Sequence, residues 1–264
     1  MFKKHSLIGS GDSWVFITGA SGGLGSEFAF QLASKGYNLF LTSEDKFSSE
    51  LNFIKGRLES KFGVSVKTFL ADLSDDKAVS RLLSAVKKLP SLKMIINSAG
   101  FGIGDYFEDS DLDLMIKMVK VHDEVPLKII SGLLPLLKRN KSSFIINISS
   151  FSAFFPFKRS SVYSASKSFL VSFSRSLHFE LQKEGLTVQV LCPGPVKTNF
   201  FKESKSPLGN NAYFFIKKLT PGFVVRKSLN CLGKKLICIP GFYYKFLFFL
   251  SKIIPSSFIN SFIK

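Results

Sequence analysis

The stretch Thr18-Gly19-Ala20-Ser21-Gly22-Gly23-Leu24-Gly25 lies between a short apolar run, Trp14-Val15-Phe16-Ile17-Thr18, and Glu27-Phe28-Ala29-Phe30-Gln31-Leu32-Ala33, whose apolar spacing fits a helix packed on a sheet. The order is strand, tight glycine turn, helix. Glycines in such a turn let backbone N–H groups and the first turn of the helix approach a phosphate that side chains would keep at a distance. A glycine cluster alone also fits a plain tight turn, and its place directly after the first strand is what favours a nucleotide.

Downstream the alternation repeats. Asn38 to Thr42 carries a strand signal, residues 48–62 a helix, Val64 to Leu70 a strand, residues 75–88 a helix and Leu92 to Ile96 a strand. A long helix over about 111–139 follows, then a strand at Ser143 to Ile148, a helix over about 161–184 and a strand at Leu186 to Leu191. Strands too apolar to have a wet face, alternating with helices, imply an α/β fold whose parallel sheet is covered on both sides. The 264 residues, 45% of them hydrophobic, suit one domain over 1–264, with no internal repeat and no linker. The polar, turn-rich residues 202–211 are the expected mobile loop.

The formal charge is +17, which brings nucleic acid, anionic lipid and anionic cofactors into consideration. Residues 201–264 hold eleven Lys/Arg against one acid, Glu203, and ten of the thirty Phe. A basic, aromatic tail (236–264) suits peripheral contact with a membrane surface, or a core helix with solvated lysines. Its most apolar segment, Phe242 to Leu250, is shorter than the ~20 residues of a spanning helix and contains Lys245. No recognised reading motif accompanies the charge, so nucleic acid is not the expected partner. Cys192, Cys231 and Cys238 form no CxxC pair and no zinc ligand set; no metal and no disulfide framework are expected, and the count suits a reducing, cytoplasmic setting. The N-terminus is read as carrying no secretory signal, because Gly9, Gly11 and Asp12 cut its apolar stretch.

The glycine pattern Thr-Gly-x-x-x-Gly-x-Gly resembles that of the short-chain dehydrogenase/reductase family, classical type, with Gly19, Gly23 and Gly25 in register. The resemblance continues through Asp72 in Ala-Asp-Leu, Asn97-Ser98-Ala99-Gly100, Ser150, Tyr163-x-x-x-Lys167 and Pro193-Gly194 with Thr198, in the family's order over about residues 13–200. Phe101-Gly102-x-Gly104 and the ending around Pro240-Gly241 look most like a bacterial branch related to hydroxysteroid and ketoacyl reductases. The resemblance implies a single Rossmann-type doubly wound parallel sheet of about seven strands, an NAD or NADP cofactor and a homo-oligomer formed through the helices at about 111–139 and 161–184. It also implies a carbonyl or alcohol substrate under a lid over 195–235, where Phe200, Phe201, Phe214 and Phe215 suggest an apolar ligand. Around the cofactor it places Gly19, Ser21, Gly22, Gly23, Leu24, Gly25, Asp72, Leu73, Asn97, Ala99, Gly100, Pro193, Gly194, Val196 and Thr198. Asp72 reads equally as a helix cap before residues 75–88.

Tyr163 and Lys167 stand four apart on one helix face, where both can meet a common ligand. A tyrosine with its ordinary pKa of ~10 is a poor base near neutrality, and a nearby ammonium favours the phenolate. Ser150, with Ser149 as its rival, ends a strand thirteen residues before Tyr163 and can polarise the same oxygen. The resemblance implies that Lys167 also holds the nicotinamide ribose. It fails at His122, where the family has an Asn that kinks a helix and holds a water leading from the lysine to solvent. A histidine there either replaces that relay or fills the water's place as a neutral ring. Two readings follow: an oxidoreductase moving hydride between a nicotinamide cofactor and a substrate carbonyl, or a dinucleotide-binding, membrane-peripheral protein whose turnover is weak or lost. After the second strand, Thr42-Ser43-Glu44-Asp45-Lys46 tips the balance toward NAD through Glu44, with Lys46 left in reach of a 2′-phosphate.

Overall fold

The computed structural model describes residues 11–200 and 218–253. The lid phenylalanines Phe201, Phe214 and Phe215 and the loop 202–211 lie outside the described residues. Seven strands form one parallel sheet: β1 (Trp14–Thr18), β2 (Asn38–Ser43), β3 (Val66–Leu70), β4 (Leu92–Asn97), β5 (Ser143–Ile148), β6 (Leu186–Leu191) and β7 (Ile237–Cys238), in the order β3-β2-β1-β4-β5-β6-β7. The chain winds outward from β1 to β3, returns to β4 and winds out the other way. The C-terminal ends of β1 and β4 therefore flank the switch point where ligands bind in such sheets.

All five residues of β1 are buried, and they alternate between two cores. Trp14 and Phe16 pack with Val79, Leu82, Ile129 and Leu133 on one face, while Val15 and Ile17 pack with Phe28, Leu32 and Val224 on the other. Burial on both faces is why these strands read as unbroken apolar runs.

The first core is closed by α3 (Asp76–Val86), α5 (Val125–Lys138) and α6 (Ser161–Leu181), with α4 (Leu112–Val119) packed beside α6, and the second by α1 (Gly23–Ala33) and α2 (Ser48–Phe62). Helix α3 is capped by Asp75, whose carboxylate accepts the N–H groups of Lys77 and Ala78, so Asp72 is not the cap. The single helix expected over 111–139 is interrupted: α4 and α5 are joined by a π-helical turn, Lys120–Glu124, with His122 at its centre. Pro126 explains the turn. It has no N–H to give the His122 carbonyl four residues back, so the ladder skips a residue before α5 resumes.

Beyond β6, α7 (Pro221–Cys231) packs beside α1, where Gln31 donates to the Gly222 carbonyl at 3.1 Å. The last element is α8 (Phe242–Ile253), one side of which joins a small core with Phe151, Val190 and Ile239. Among the described residues no helix is long and apolar enough to cross a membrane. The three cysteines are free thiols.

Candidate active site

The Thr18 hydroxyl ties the two halves of the switch point together. Its Oγ accepts the N–H groups of Ser98 and Ala99 at 3.0 Å each, so the loop after β1 and the loop after β4 are held edge to edge. Gly19 adopts φ +63°, and a Cβ there would stand 2.8 Å from the Ala99 Cα. A Cβ on Gly25 would fall 2.2 Å from the Gly19 carbonyl oxygen, so only glycine lets α1 sit against the loop. At Gly22, which precedes α1, a Cβ would meet nothing within 4 Å. No side chain caps α1 and no acid stands in its first turn. Its leading amides thus lie beside an open cleft without a competing carboxylate, which suits a diphosphate.

That cleft has a volume of about 1150 Å³, just above the range of ordinary ligand cavities and roomy enough for a dinucleotide with a substrate. Gly19, Ser21, Gly22, Gly23 and Leu24 line it together with Glu44, Leu73, Ala99 and Gly100. Ser150, Tyr163 and Lys167 line it with Pro193, Gly194, Val196 and Thr198. Four expected residues stand outside its wall. Gly25 acts through backbone packing alone. The Asn97 amide donates to Asn147 Oδ1 at 2.7 Å, and Asn147 donates to Ser174, so Asn97 stitches β4, β5 and α6 below the cleft. Asp72 is tied to Lys117 at 2.9 Å and accepts from the Ser74 N–H and hydroxyl; although burial opposes it, these partners hold its carboxyl below the usual range. His122 sits behind Tyr163.

Tyr163 and Lys167 project from α6 into the same cavity, with Lys167 Nζ 5.6 Å from the Tyr163 ring centroid. Lys167 is buried and donates to the Ile148 carbonyl at 3.4 Å. Burial brings its ammonium down to about 8, with Asp123 and then Cys192 pulling the other way. Both serines border the cleft, but their hydroxyls differ. Ser149 is buried and spends its hydroxyl on the Lys167 carbonyl at 2.7 Å, whereas Ser150 Oγ accepts the Ser152 N–H at 3.2 Å, capping a short 3₁₀ turn.

The His122 ring is 1% exposed and fully engaged. Nε2 accepts the Phe101 N–H at 3.2 Å, Nδ1 lies 3.0 Å from Ser166 Oγ, and that hydroxyl donates to the Tyr163 carbonyl. Only the neutral tautomer protonated on Nδ1 satisfies all three bonds. Burial first and the Lys167 charge second hold the imidazole well below its ordinary pKa. The ring meets Tyr163 edge-on at 5.8 Å, and a Cβ on Gly100 would stand 2.6 Å from Nε2. The ring is thus neutral and packed between the Phe101 backbone and Ser166. Its neighbour Asp123 has a buried Oδ1 with no hydrogen-bond partner among the described residues, and burial raises its carboxyl to about 7 against the pull of Lys167.

The short chain dehydrogenase family model matches residues 13–208, three quarters of the chain and most of the residues that line this cleft. The chain belongs to the short-chain dehydrogenase/reductase family. A very-long-chain 3-oxoacyl-CoA reductase of Anas platyrhynchos is 29% identical over 261 residues, covering 96% of this chain and 80% of that one. Two solved structures share the fold: a short-chain dehydrogenase from Sphingobium yanoikuyae in complex with NADPH (TM-score 0.80, 24% identity, 87% and 88% covered) and one from Burkholderia phymatum in complex with NAD (0.76, 22%, 86% and 88%).

Three features of this short-chain dehydrogenase/reductase escaped the sequence reading. Lys117 borders the cleft as the partner of Asp72. Asp123 interacts electrostatically with Lys167. The Tyr244 ring lies so close to Gly194 that a Cβ there would overlap it, which makes α8 part of the cleft wall. The apolar runs gave no sign of these pairings, since the partners are 45, 44 and 50 residues apart.

Proposed function

We propose that this chain reduces, or in reverse forms, a carbonyl group on an apolar substrate with a nicotinamide dinucleotide as hydride partner. The observation that carries the reading is the convergence of Ser150, Tyr163 and Lys167 on one cavity whose other end is an uncapped helix N-terminus beside a glycine loop. When bound, the dinucleotide supplies or accepts the hydride. The Tyr163 phenol gives its proton to the substrate oxygen in reduction and takes it back in oxidation. The Ser150 hydroxyl donates to the same oxygen as charge develops there. Lys167, held as an ammonium near neutrality, favours the phenolate and supplies donors for the ribose hydroxyls. His122 is a positioning residue, joining the Phe101 loop to α6 behind the phenol.

The substrate end of the cleft is lined by Phe151, Phe155, Phe157, Phe200 and Leu247. Together with the similarity to 3-oxoacyl-CoA reductases, that wall supports a long-chain 3-oxoacyl thioester or another greasy ketone. Glu44 borders the adenosine end and favours NAD, but its ion pair with Lys46 at 2.7 Å leaves a cation beside it, and relatives of this fold hold NADPH as well as NAD. A second copy is the expected partner of the exposed apolar residues Leu112, Ile116, Val119 and Phe169 on α4 and α6.

The test is purified protein with NADH and NADPH, first for binding by fluorescence and then for oxidation with a panel of 3-oxoacyl thioesters and aryl ketones. Binding and turnover are expected. Failure to bind either dinucleotide would overturn the proposal, and tight binding without turnover on any ketone would favour a dinucleotide-binding protein instead.

A further inference from the structure

Helix α8 reads Phe-Tyr-Tyr-Lys-Phe-Leu-Phe-Phe-Leu-Ser-Lys-Ile, apolar nearly all round and without an acid. A helix of that kind is normally buried on every side. This one is not. One side faces the protein: Tyr244 is 3% exposed and meets Phe151 edge-on at 5.3 Å, and Phe248 meets Phe154 at 4.6 Å. A second side, with Tyr243, Leu247 and Leu250, borders the cleft. The third carries Phe242, Phe246 and Phe249, spaced four and three apart on one stripe and 86%, 50% and 59% exposed. Single exposed apolar residues are ordinary, but three phenylalanines in a row on a helix face mark a surface that meets something apolar.

Charge identifies the partner. Residues 204–264 contain ten Lys/Arg and no Asp or Glu. Lys245 is exposed on α8 within one helical turn of both Phe242 and Phe249, and Lys218, Arg226, Lys227, Lys234 and Lys235 are exposed in the segments leading to it. A second copy docking through this stripe would bring one Lys245 up to the other. A lipid surface with anionic headgroups offers both hydrocarbon for the rings and counter-charge for the ammonium groups.

We propose that α8 docks on an anionic bilayer, with Phe242, Phe246 and Phe249 entering the interface and the mouth of the cleft held at the lipid surface. The docking stands by itself; the corollary, that a greasy carbonyl substrate enters from the membrane beside Tyr243 and Leu250, rests on the proposed oxidoreductase function.

The experiment is sedimentation of the full chain with vesicles of phosphatidylcholine alone or mixed with phosphatidylglycerol, comparing wild type with Phe242→Ser/Phe246→Ser/Phe249→Ser. The three positions are exposed and lie outside the cleft wall, so circular dichroism and dinucleotide binding are expected to be unchanged and serve as the folding control. Wild type is expected to pellet with the anionic vesicles, to be released by salt, and to bind neutral vesicles at least tenfold less; the triple variant is expected to lose at least tenfold of the anionic binding. Equal pelleting of the two proteins, or no binding of wild type to anionic vesicles, overturns the proposal. So does a wild-type dimer that the triple variant dissolves in the absence of lipid binding, which would assign the face to a second copy. Dinucleotide titration on the same samples keeps the outcomes apart, because lipid binding without cofactor binding removes the oxidoreductase reading and leaves the docking face.

Discussion

Replacing Lys167 with methionine is expected to stabilise the fold while abolishing turnover. Lys167 is 5% exposed, and burial lowers its pKa from 10.5 to about 8. At about 1.4 kcal/mol per pH unit, keeping the charge buried costs the folded state about 3 kcal/mol. The folded pKa is the lower one, so between about 8 and 10.5 the unfolded chain holds the extra proton and wild-type stability rises with pH; below that window the full cost is present. Methionine keeps the length of the stem and gives up the 3.4 Å bond to the Ile148 carbonyl and the ammonium's place 5.6 Å from the Tyr163 ring centroid. Asp123, left without its cation, takes back part of the gain. The net expectation is a variant more stable by about 1–3 kcal/mol near pH 7, with the advantage fading as pH approaches about 10.5. Urea unfolding followed by the fluorescence of the single tryptophan, Trp14, at several pH values measures this directly. A methionine variant less stable than wild type near neutrality, or an advantage that does not change with pH, refutes the reasoning.

Other substitutions probe the remaining parts of the site. Gly25→Ala puts a Cβ 2.2 Å from the Gly19 carbonyl, so the loop must move and dinucleotide affinity is expected to fall by about tenfold or more in a fluorescence titration; unchanged affinity counts against the cradle. Asp123→Asn removes the group that does most to favour the Lys167 ammonium, so the alkaline limb of the pH profile for ketone reduction is expected to move to lower pH, and superimposable profiles contradict the coupling. His122→Asn shrinks a ring that packs against Gly100 and Tyr163 and is expected to cost about 1–3 kcal/mol in unfolding experiments, with no new ionisation in the rate profile between about pH 5 and 8; loss of such a limb relative to wild type would show that the imidazole titrates after all.

The sheet was legible because its strands are buried on both faces and therefore apolar without interruption, as in β1 and β2. The glycine loop was legible because its requirement is local: a positive φ at Gly19 and a close approach at Gly25. The break between α4 and α5 was also written in the chain, at Pro126, but the apolar period continues across it and masked the missing hydrogen bond. Asp72 and Asp75 are both placed to cap α3 from sequence, and only the partners of Asp72, Ser74 and Lys117, show that it faces elsewhere. Asn97 was placed at the cofactor by the family resemblance; its bond to Asn147, which in turn reaches Ser174, directs its side chain toward α6 instead. The Tyr244 contact with Gly194 depends on where a late helix docks, a tertiary fact that no local pattern encodes.

The central claim, that the Tyr163 phenol moves the proton in a nicotinamide-linked carbonyl reduction, is tested most directly by Tyr163→Phe. Dinucleotide affinity and kcat with the best ketone are measured on the same preparation as wild type. The expected result is a fall in kcat of at least about 100-fold with affinity for the dinucleotide nearly unchanged. A phenylalanine variant that turns over ketone at the wild-type rate contradicts the account.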